Sequence, residues 1–97
     1  MKKCNSLQEV RDEIDKIDMQ LVDLISERSH LIRQAAAFKN SVDEVKAEDR
    51  IDDIMQRVRK RAIELNINPN MISELFNIMI DEMVETEISE FRNDGKF

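Results

Sequence analysis

The first third of the chain carries one uninterrupted apolar stripe, which limits the folds open to it. From Leu7 onward, stripe positions recur at alternating spacings of three and four residues. They are Leu7, Val10, Ile14, Ile17, Leu21, Leu24, Arg28, Leu31, Ala35 and Phe38. This heptad-like spacing is typical of one continuous helix. A helix over about 6–40 would be roughly 50 Å long, longer than a compact domain of this size, so it needs a partner along its length.

Local signals place the ends of this helix and of two shorter ones. Ser6 and Glu9 form a capping box in which each side chain can bond to backbone near the other, so the first helix starts at Ser6. The segment 40–43, Asn-Ser-Val-Asp, interrupts the pattern and is predicted to be a loop. A second helix is predicted over 47–65. Asn68 suits a cap and Pro69 a first helical position, so a third helix follows over 69–92, with a stop signal at 93–95.

The chain of 97 residues contains one Gly and one Pro, which favours helices over sheets. We therefore predict an all-α fold in a single domain spanning 1–97, with one long N-terminal helix and two shorter ones. Because a short chain buries little surface alone, long helices with broad apolar stripes favour oligomerisation. The prediction is an intertwined helical homodimer.

Charge and cysteine content exclude several classes of function. The net charge of -6 argues against binding nucleic acid, whose partners are usually basic. No apolar run is long enough for a membrane span, and the N-terminus has no hydrophobic signal core, so we expect a cytoplasmic protein. Cys4 and His30 are each the sole residue of their type, which indicates neither a disulfide nor a metal site.

Two cationic residues are associated with the first stripe: one lies within it and the other directly follows it. Arg28 stands where an apolar residue is expected, and a buried guanidinium is costly unless an anion meets it. Lys39, eleven residues later, returns to nearly the same helix face, and Ala35 between them leaves room for an anionic ligand. The alternatives are an internal salt bridge or an outward-reaching side chain for Arg28, and an exposed helix-end residue for Lys39.

Three more charged residues are candidates for a functional role. Glu87 lies among apolar residues of the third helix, so it either pairs with a cation or has a raised pKa. Arg50 adjoins apolar positions of the second helix, although a surface ion pair with Glu48 or Asp49 would also explain it. Arg11 lies about 25 Å from Arg28 along the helix and on another face, so it can reach such a site only in a partner chain.

These residues resemble the AroQ-type chorismate mutases and the related isochorismate pyruvate lyases over about residues 5–92. The resemblance rests on an ordered set of short segments at the spacing typical of the family. They are residues 10–18 (VRDEIDKID), 25–28 (ISER), 35–39 (AAAFK), 47–51 (AEDRI) and the stretch from Leu75-Phe76 to Glu87.

The resemblance implies a small dicarboxylate substrate held between helices, without cofactor or metal. Arg11 would enter from the other subunit to bind one carboxylate, Arg28 would bind the other, and Arg50 would support the carboxylate end. Lys39 would donate to the ether oxygen at which the substrate is cleaved, and Glu87 takes the place of a second donor, usually Gln. Further pocket positions implied are Ala35, Ile51 and Met83.

The resemblance also implies the chemistry and its alternatives. Rearrangement of chorismate to prephenate is pericyclic, so it needs a compact substrate conformer and positive charge near the ether oxygen rather than a nucleophile. Ile51 stands where many mutases carry Glu, whereas the lyases also carry an aliphatic residue there. This keeps release of pyruvate from isochorismate open as an alternative. A carboxylic acid can donate a hydrogen bond and a carboxylate cannot, so Glu87 is expected to act in its protonated form. A non-catalytic ligand-binding module and a purely structural helical protein are the remaining alternatives.

Overall fold

A computed structural model describes residues 3–93, apart from the side chains at positions 42, 45, 91 and 93. Within that span every regular element is a helix: α1 (Leu7–Ala36), α2 (Val42–Val45), α3 (Glu48–Glu64) and α4 (Pro69–Asn93). The prediction of an all-α fold is confirmed, with α1, α3 and α4 as the long helix and its two shorter companions. None of the described helices has the length and apolarity that crossing a bilayer requires.

The N-terminus of α1 is closed by the capping box that its sequence predicts. The Ser6 hydroxyl oxygen accepts a hydrogen bond from the Glu9 amide at 3.1 Å. The Glu9 carboxylate reaches back and accepts from the amide of Asn5 at 2.8 Å, one residue before the cap. One donor of the first helical turn, the Glu9 amide, is thereby satisfied, together with the Asn5 amide that precedes the cap.

The C-terminus of α1 lies at Ala36, four residues before the predicted end near 40, so that boundary was wrong. The last turn tightens into three-residue hydrogen bonds, which run from the amides of Ala37, Phe38 and Lys39 to the carbonyls of Gln34, Ala35 and Ala36. The Asn40 amide then donates to the Glu44 carboxylate at 2.7 Å instead of continuing the helical ladder. The Glu44 side chain thus takes a donor that a continued helix would have paired with a backbone carbonyl. Phe38 consequently leaves the stripe and is 83% exposed.

The predicted loop at 40–43 is likewise incorrect, because α2 starts within it at Val42. Ser41 caps this single helical turn by accepting from the Glu44 amide at 3.2 Å. The signal was present as Ser41-Val42-Asp43-Glu44, a second capping box.

The connection between α3 and α4 is a helix stop followed directly by a helix start. Asn66 adopts a left-handed φ of 64°. Its amide donates to the Ile63 carbonyl at 3.1 Å, and the next amide donates to Ala62 at 2.9 Å. These are the two bonds of a Schellman stop, at which Asn is one of the few tolerated side chains. Asn68 then accepts from the Asn70 amide at 2.9 Å and caps α4, whose first residue is Pro69. The remainder of the predicted stop signal, Asp94-Gly95, lies outside the described residues.

Arg59 fastens α3 to the first turn of α4. Its Nη1 atom lies within hydrogen-bonding distance of three acceptors on α4: the Pro69 carbonyl at 3.1 Å, the Asn70 side-chain oxygen at 3.1 Å and the Ser73 hydroxyl at 2.7 Å. A guanidinium suits this role because it presents several donors in one rigid plane. These hydrogen bonds hold α3 and α4 together as a helical hairpin, close to the short segment that connects them.

The chain divides into two compact units, one ending at Leu31 and the other beginning at Ile32. In the second unit α3 packs against α4, and α2 also contacts α4. Its buried apolar side chains among the described residues are those of Ala36, Ala62 and Ile80, a small core. The first unit consists mainly of α1, whose stripe is exposed in a single chain, from Leu7 at 64% to Leu31 at 63%. The single domain and the homodimer remain predictions.

Candidate functional site

The second unit brings together the lysine and the glutamate that sequence analysis selected. Lys39 follows the last turn of α1, and Glu87 lies on α4 one turn after Met83. The Lys39 Nζ atom is 4.0 Å from Oε2 of Glu87. Glu87 is 3% exposed and Lys39 25% exposed, so the pair is largely shielded from water. An ion pair so placed is screened far less than one on the surface.

The Glu87 carboxyl group is unusual because one of its oxygens is buried without a hydrogen bond. Among the described residues, none donates to Oε2. A carboxylate in such surroundings loses its hydration without replacement, which disfavours the charged form. Burial therefore raises the pKa of Glu87 above its ordinary value of 4.5, and the Lys39 charge opposes the rise without cancelling it. The balance between these two effects could not be obtained from the sequence.

This arrangement suits the recognition of an oxygen atom on a ligand. The Lys39 ammonium is a donor, and Glu87 in its protonated form is a second donor. Because the two groups are 4.0 Å apart, an oxygen placed between them can accept from both. Negative charge that develops on that oxygen would be stabilised by the ammonium at a site with little water. In its ionised form Glu87 would instead be a second acceptor and would oppose such binding.

The structure adds Glu44 to this site, a residue that sequence analysis missed. The Lys39 Nζ atom donates to the Glu44 backbone carbonyl at 3.1 Å. Glu44 is the third residue of α2, and its side chain accepts from the Asn40 amide. Recognition of the second capping box would have placed Glu44 beside Lys39, because the box folds residues 40–44 into one turn.

The two arginines predicted to bind carboxylates both lie on α1, in the first unit. Arg28 is partly buried, whereas its apolar stripe neighbours Leu24 and Leu31 are exposed, and it takes part in an interaction with its surroundings. Arg11 is exposed. Their separation of seventeen positions on one helix corresponds to about 25 Å, so one ligand cannot contact both within a single α1.

The remaining predicted positions lie in the second unit. Ala35 and Met83 are partly buried. Arg50 is 62% exposed and forms an ion pair with Asp53 on its own helix at 3.4 Å, rather than with the neighbours Glu48 or Asp49. The described residues contain no group of three His, Cys, Asp or Glu side chains arranged to hold a metal ion.

Ile51 lines a shallow surface depression whose rim is mostly acidic. It shares this depression with Val84 and Lys46, and the acidic side chains around it are Glu48, Asp81, Glu82 and Glu85. Four carboxylates against one ammonium make this rim unsuited to the charged end of a dicarboxylate. Ile51 is therefore suited to contact an uncharged part of a ligand.

Comparison with known proteins shows the family of the chain. The family model described as chorismate mutase type II matches residues 10–88, more than three quarters of the chain. A chorismate mutase of Methanocaldococcus jannaschii is 34% identical over 76 residues, which cover 77% of both chains. A bifunctional chorismate mutase/prephenate dehydratase of Buchnera aphidicola is 30% identical over 96 residues. This chain spans 25% of that longer protein.

Another relative, named for a different reaction, also aligns over most of this chain. An isochorismate pyruvate lyase of Pseudomonas aeruginosa is 25% identical over 89 residues, covering 92% of this chain and 88% of that one. The matched segment of the family model contains Arg11, Arg28, Lys39, Arg50 and Glu87. The chain belongs to the chorismate mutase type II family.

Proposed function

We propose that the protein is a chorismate mutase that rearranges chorismate to prephenate. The observation that carries the proposal is the shielded pair of Lys39 and Glu87. When Glu87 is protonated, this pair would offer two donors to one oxygen. During the rearrangement the ether C–O bond breaks while a C–C bond forms, so the ether oxygen gains negative charge in the transition state. A fixed ammonium and a carboxylic acid stabilise that charge more than they stabilise the ground state, which is the condition for catalysis.

The carboxylates of the substrate would be bound by arginines, which form bidentate hydrogen bonds with them. Arg28 would bind one carboxylate, Arg11 of a second copy would bind the other, and Arg50 would support the carboxylate end. Ala35 leaves room beside the helix, and Met83 offers an apolar wall for the ring. Held in this way, the substrate spends more of its time in the compact conformer that reacts.

We propose further that the site is shared between two copies in a homodimer. The exposed apolar stripe of α1 supports this, since a long helix with Leu7, Leu21 and Leu31 in water is unfavourable without a partner. The position of Arg11 supports it too, because a single α1 keeps Arg11 far from Arg28. An antiparallel pairing of two α1 helices would bring Arg11 of one copy towards Arg28 of the other.

Mixing two inactive variants tests the shared site. Arg11→Ala and Arg28→Ala are each expected to lose activity, because each removes a carboxylate ligand from every site. When the two are unfolded together and refolded, half of the dimers are mixed, and one of their two sites is intact, so about a quarter of the parent activity should return. Recovery of no activity would contradict a site shared between two copies.

The lyase reaction is the second candidate, favoured by Ile51 and by the alignment with the Pseudomonas aeruginosa protein. Elimination of pyruvate from isochorismate also breaks an ether C–O bond, so the same two donors would serve it. Incubation with chorismate and isochorismate separately, at mildly acidic and neutral pH, distinguishes the reactions. We expect prephenate from chorismate. Salicylate and pyruvate from isochorismate without prephenate from chorismate would identify the lyase instead.

Failure on both substrates would favour a binding module without turnover. In that case a bicyclic diacid that mimics the transition state should still bind. As a chorismate mutase, the protein would serve the shikimate pathway towards aromatic amino acids, in the cytoplasm.

A further inference from the structure

The chain contains the pattern Asn-Ser-x-x-Glu twice, and both copies form the same hydrogen bonds. At residues 5–9 the Ser hydroxyl accepts from the Glu amide at 3.1 Å, and the Glu carboxylate accepts from the Asn amide at 2.8 Å. At residues 40–44 the corresponding distances are 3.2 Å and 2.7 Å. The two boxes are therefore equivalent in local geometry, although they begin helices of very different length.

The difference in length indicates different roles. The first box begins α1, which has 30 residues. The second begins α2, which has 4 residues and hardly needs a cap. What the second box does is fold residues 40–44 back so that the backbone carbonyl of Glu44 meets the Lys39 ammonium at 3.1 Å. The same ammonium lies 4.0 Å from Glu87.

We propose that Glu44 is a positioning residue for Lys39, acting through the capping box it forms with Ser41 and Asn40. This inference rests on the proposed function, in which Lys39 donates to the ether oxygen. The Glu44 side chain does not contact substrate. It closes the turn, and the turn presents the Glu44 carbonyl oxygen that anchors the Lys39 side chain.

The physical reason is the freedom of a lysine side chain. Four rotatable bonds separate its ammonium from the backbone, and holding it in one place costs conformational entropy. A fixed acceptor on one side of the ammonium removes that cost before the substrate arrives and leaves the cation in place to stabilise the transition state. When the turn opens, the lysine remains charged and nearby, but it is no longer held.

Kinetics of three variants test the role. Glu44→Ala should lower kcat about tenfold with KM changed by less than about twofold, because small misplacement of a catalytic group acts mainly on the transition state. Ser41→Ala removes the other half of the box and should act in the same direction. Glu44→Gln should restore kcat to within about twofold of the parent, since an amide oxygen also accepts from the Asn40 amide and Gln serves in capping boxes.

Asp43→Ala is the matched control, because it removes an exposed carboxylate from the same helical turn and takes no part in these bonds. It should leave kcat and KM unchanged. The inference is overturned when Glu44→Ala retains kcat within about twofold of the parent. It is overturned equally when Glu44→Gln loses as much as Glu44→Ala, since the charge rather than the turn would then be responsible.

A measurement without substrate separates this inference from the proposed function. Reductive methylation followed by peptide mass spectrometry reports how fast the Lys39 amine reacts in the folded protein. With the box opened in Glu44→Ala, Lys39 should react several-fold faster relative to Lys60, an exposed lysine on α3 that serves as internal reference. Equal relative rates in the parent and in Glu44→Ala would overturn the positioning role even in a protein that turns over neither substrate.

Discussion

Replacement of Lys39 by alanine is expected to lower kcat for chorismate about 10³-fold, the largest effect of any single substitution at this site. The change removes the ammonium that, in the proposed site, faces the developing negative charge, at a side chain that is only 25% exposed to water. Folding should survive, because loss of the neighbouring cation lets the buried Glu87 remain protonated rather than leaving an unpaired charge. Steady-state kinetics and thermal unfolding of the purified variant measure both effects.

Lys60→Ala is the control for this variant, since it removes an exposed lysine from α3 and should leave kcat unchanged. A purely structural role for the helices predicts that Lys39→Ala retains its biological function. Retention of more than about one tenth of the parent kcat would contradict a direct role of the ammonium in stabilising the transition state.

The second large effect is a pH dependence set by Glu87. In the proposed site only a protonated Glu87 carboxyl can donate to the ether oxygen, so kcat should be constant at acidic pH. It should then fall about tenfold per pH unit above the raised pKa of Glu87. Glu87→Gln keeps a donor at every pH, so its profile should be flat and its kcat at alkaline pH should exceed that of the parent. Glu74→Gln, an exposed substitution on the same helix, should keep the parent profile.

Stability measurements provide an independent check on the same ionisation. With a folded pKa above the ordinary 4.5, the folded protein holds the Glu87 proton more tightly than the unfolded chain does. The resulting stabilisation is fully present below that ordinary value and is lost as the pH rises through the folded pKa. Urea unfolding should show this loss in the parent and a smaller one in Glu87→Gln. A flat rate profile in the parent, or equal losses of stability, would show that Glu87 is not the titrating group.

The helices could be predicted from sequence because their signals are local. The box at Ser6, the stop at Asn66 and the start at Pro69 each depend on residues within one turn, and α3 ends within one residue of the position expected. The C-terminus of α1 was misplaced because a stripe of apolar positions continued past it. Beyond Ala36 the backbone forms three-residue hydrogen bonds, and the Asn40 amide pairs with the Glu44 carboxylate, neither of which the stripe signals.

The candidate site was only partly accessible from sequence. Lys39 and Glu87 were selected because each breaks a pattern, and the structure places them 4.0 Å apart. The direction of the Glu87 pKa shift was not accessible, because it depends on how completely the packing of α4 removes water from one carboxyl oxygen. Glu44 was missed because its contribution to Lys39 is a backbone carbonyl, which any residue possesses.

The hydrogen bonds from Arg59 of α3 to α4 bear on the order in which the protein folds. Its three acceptors lie only 10 to 14 positions further along the chain, so the hairpin closes a short loop. Contacts at such short range form early and fast, whereas pairing of two chains depends on concentration. The α3–α4 hairpin is therefore expected to form on each chain by itself, before the pairing of two chains that the proposed homodimer requires.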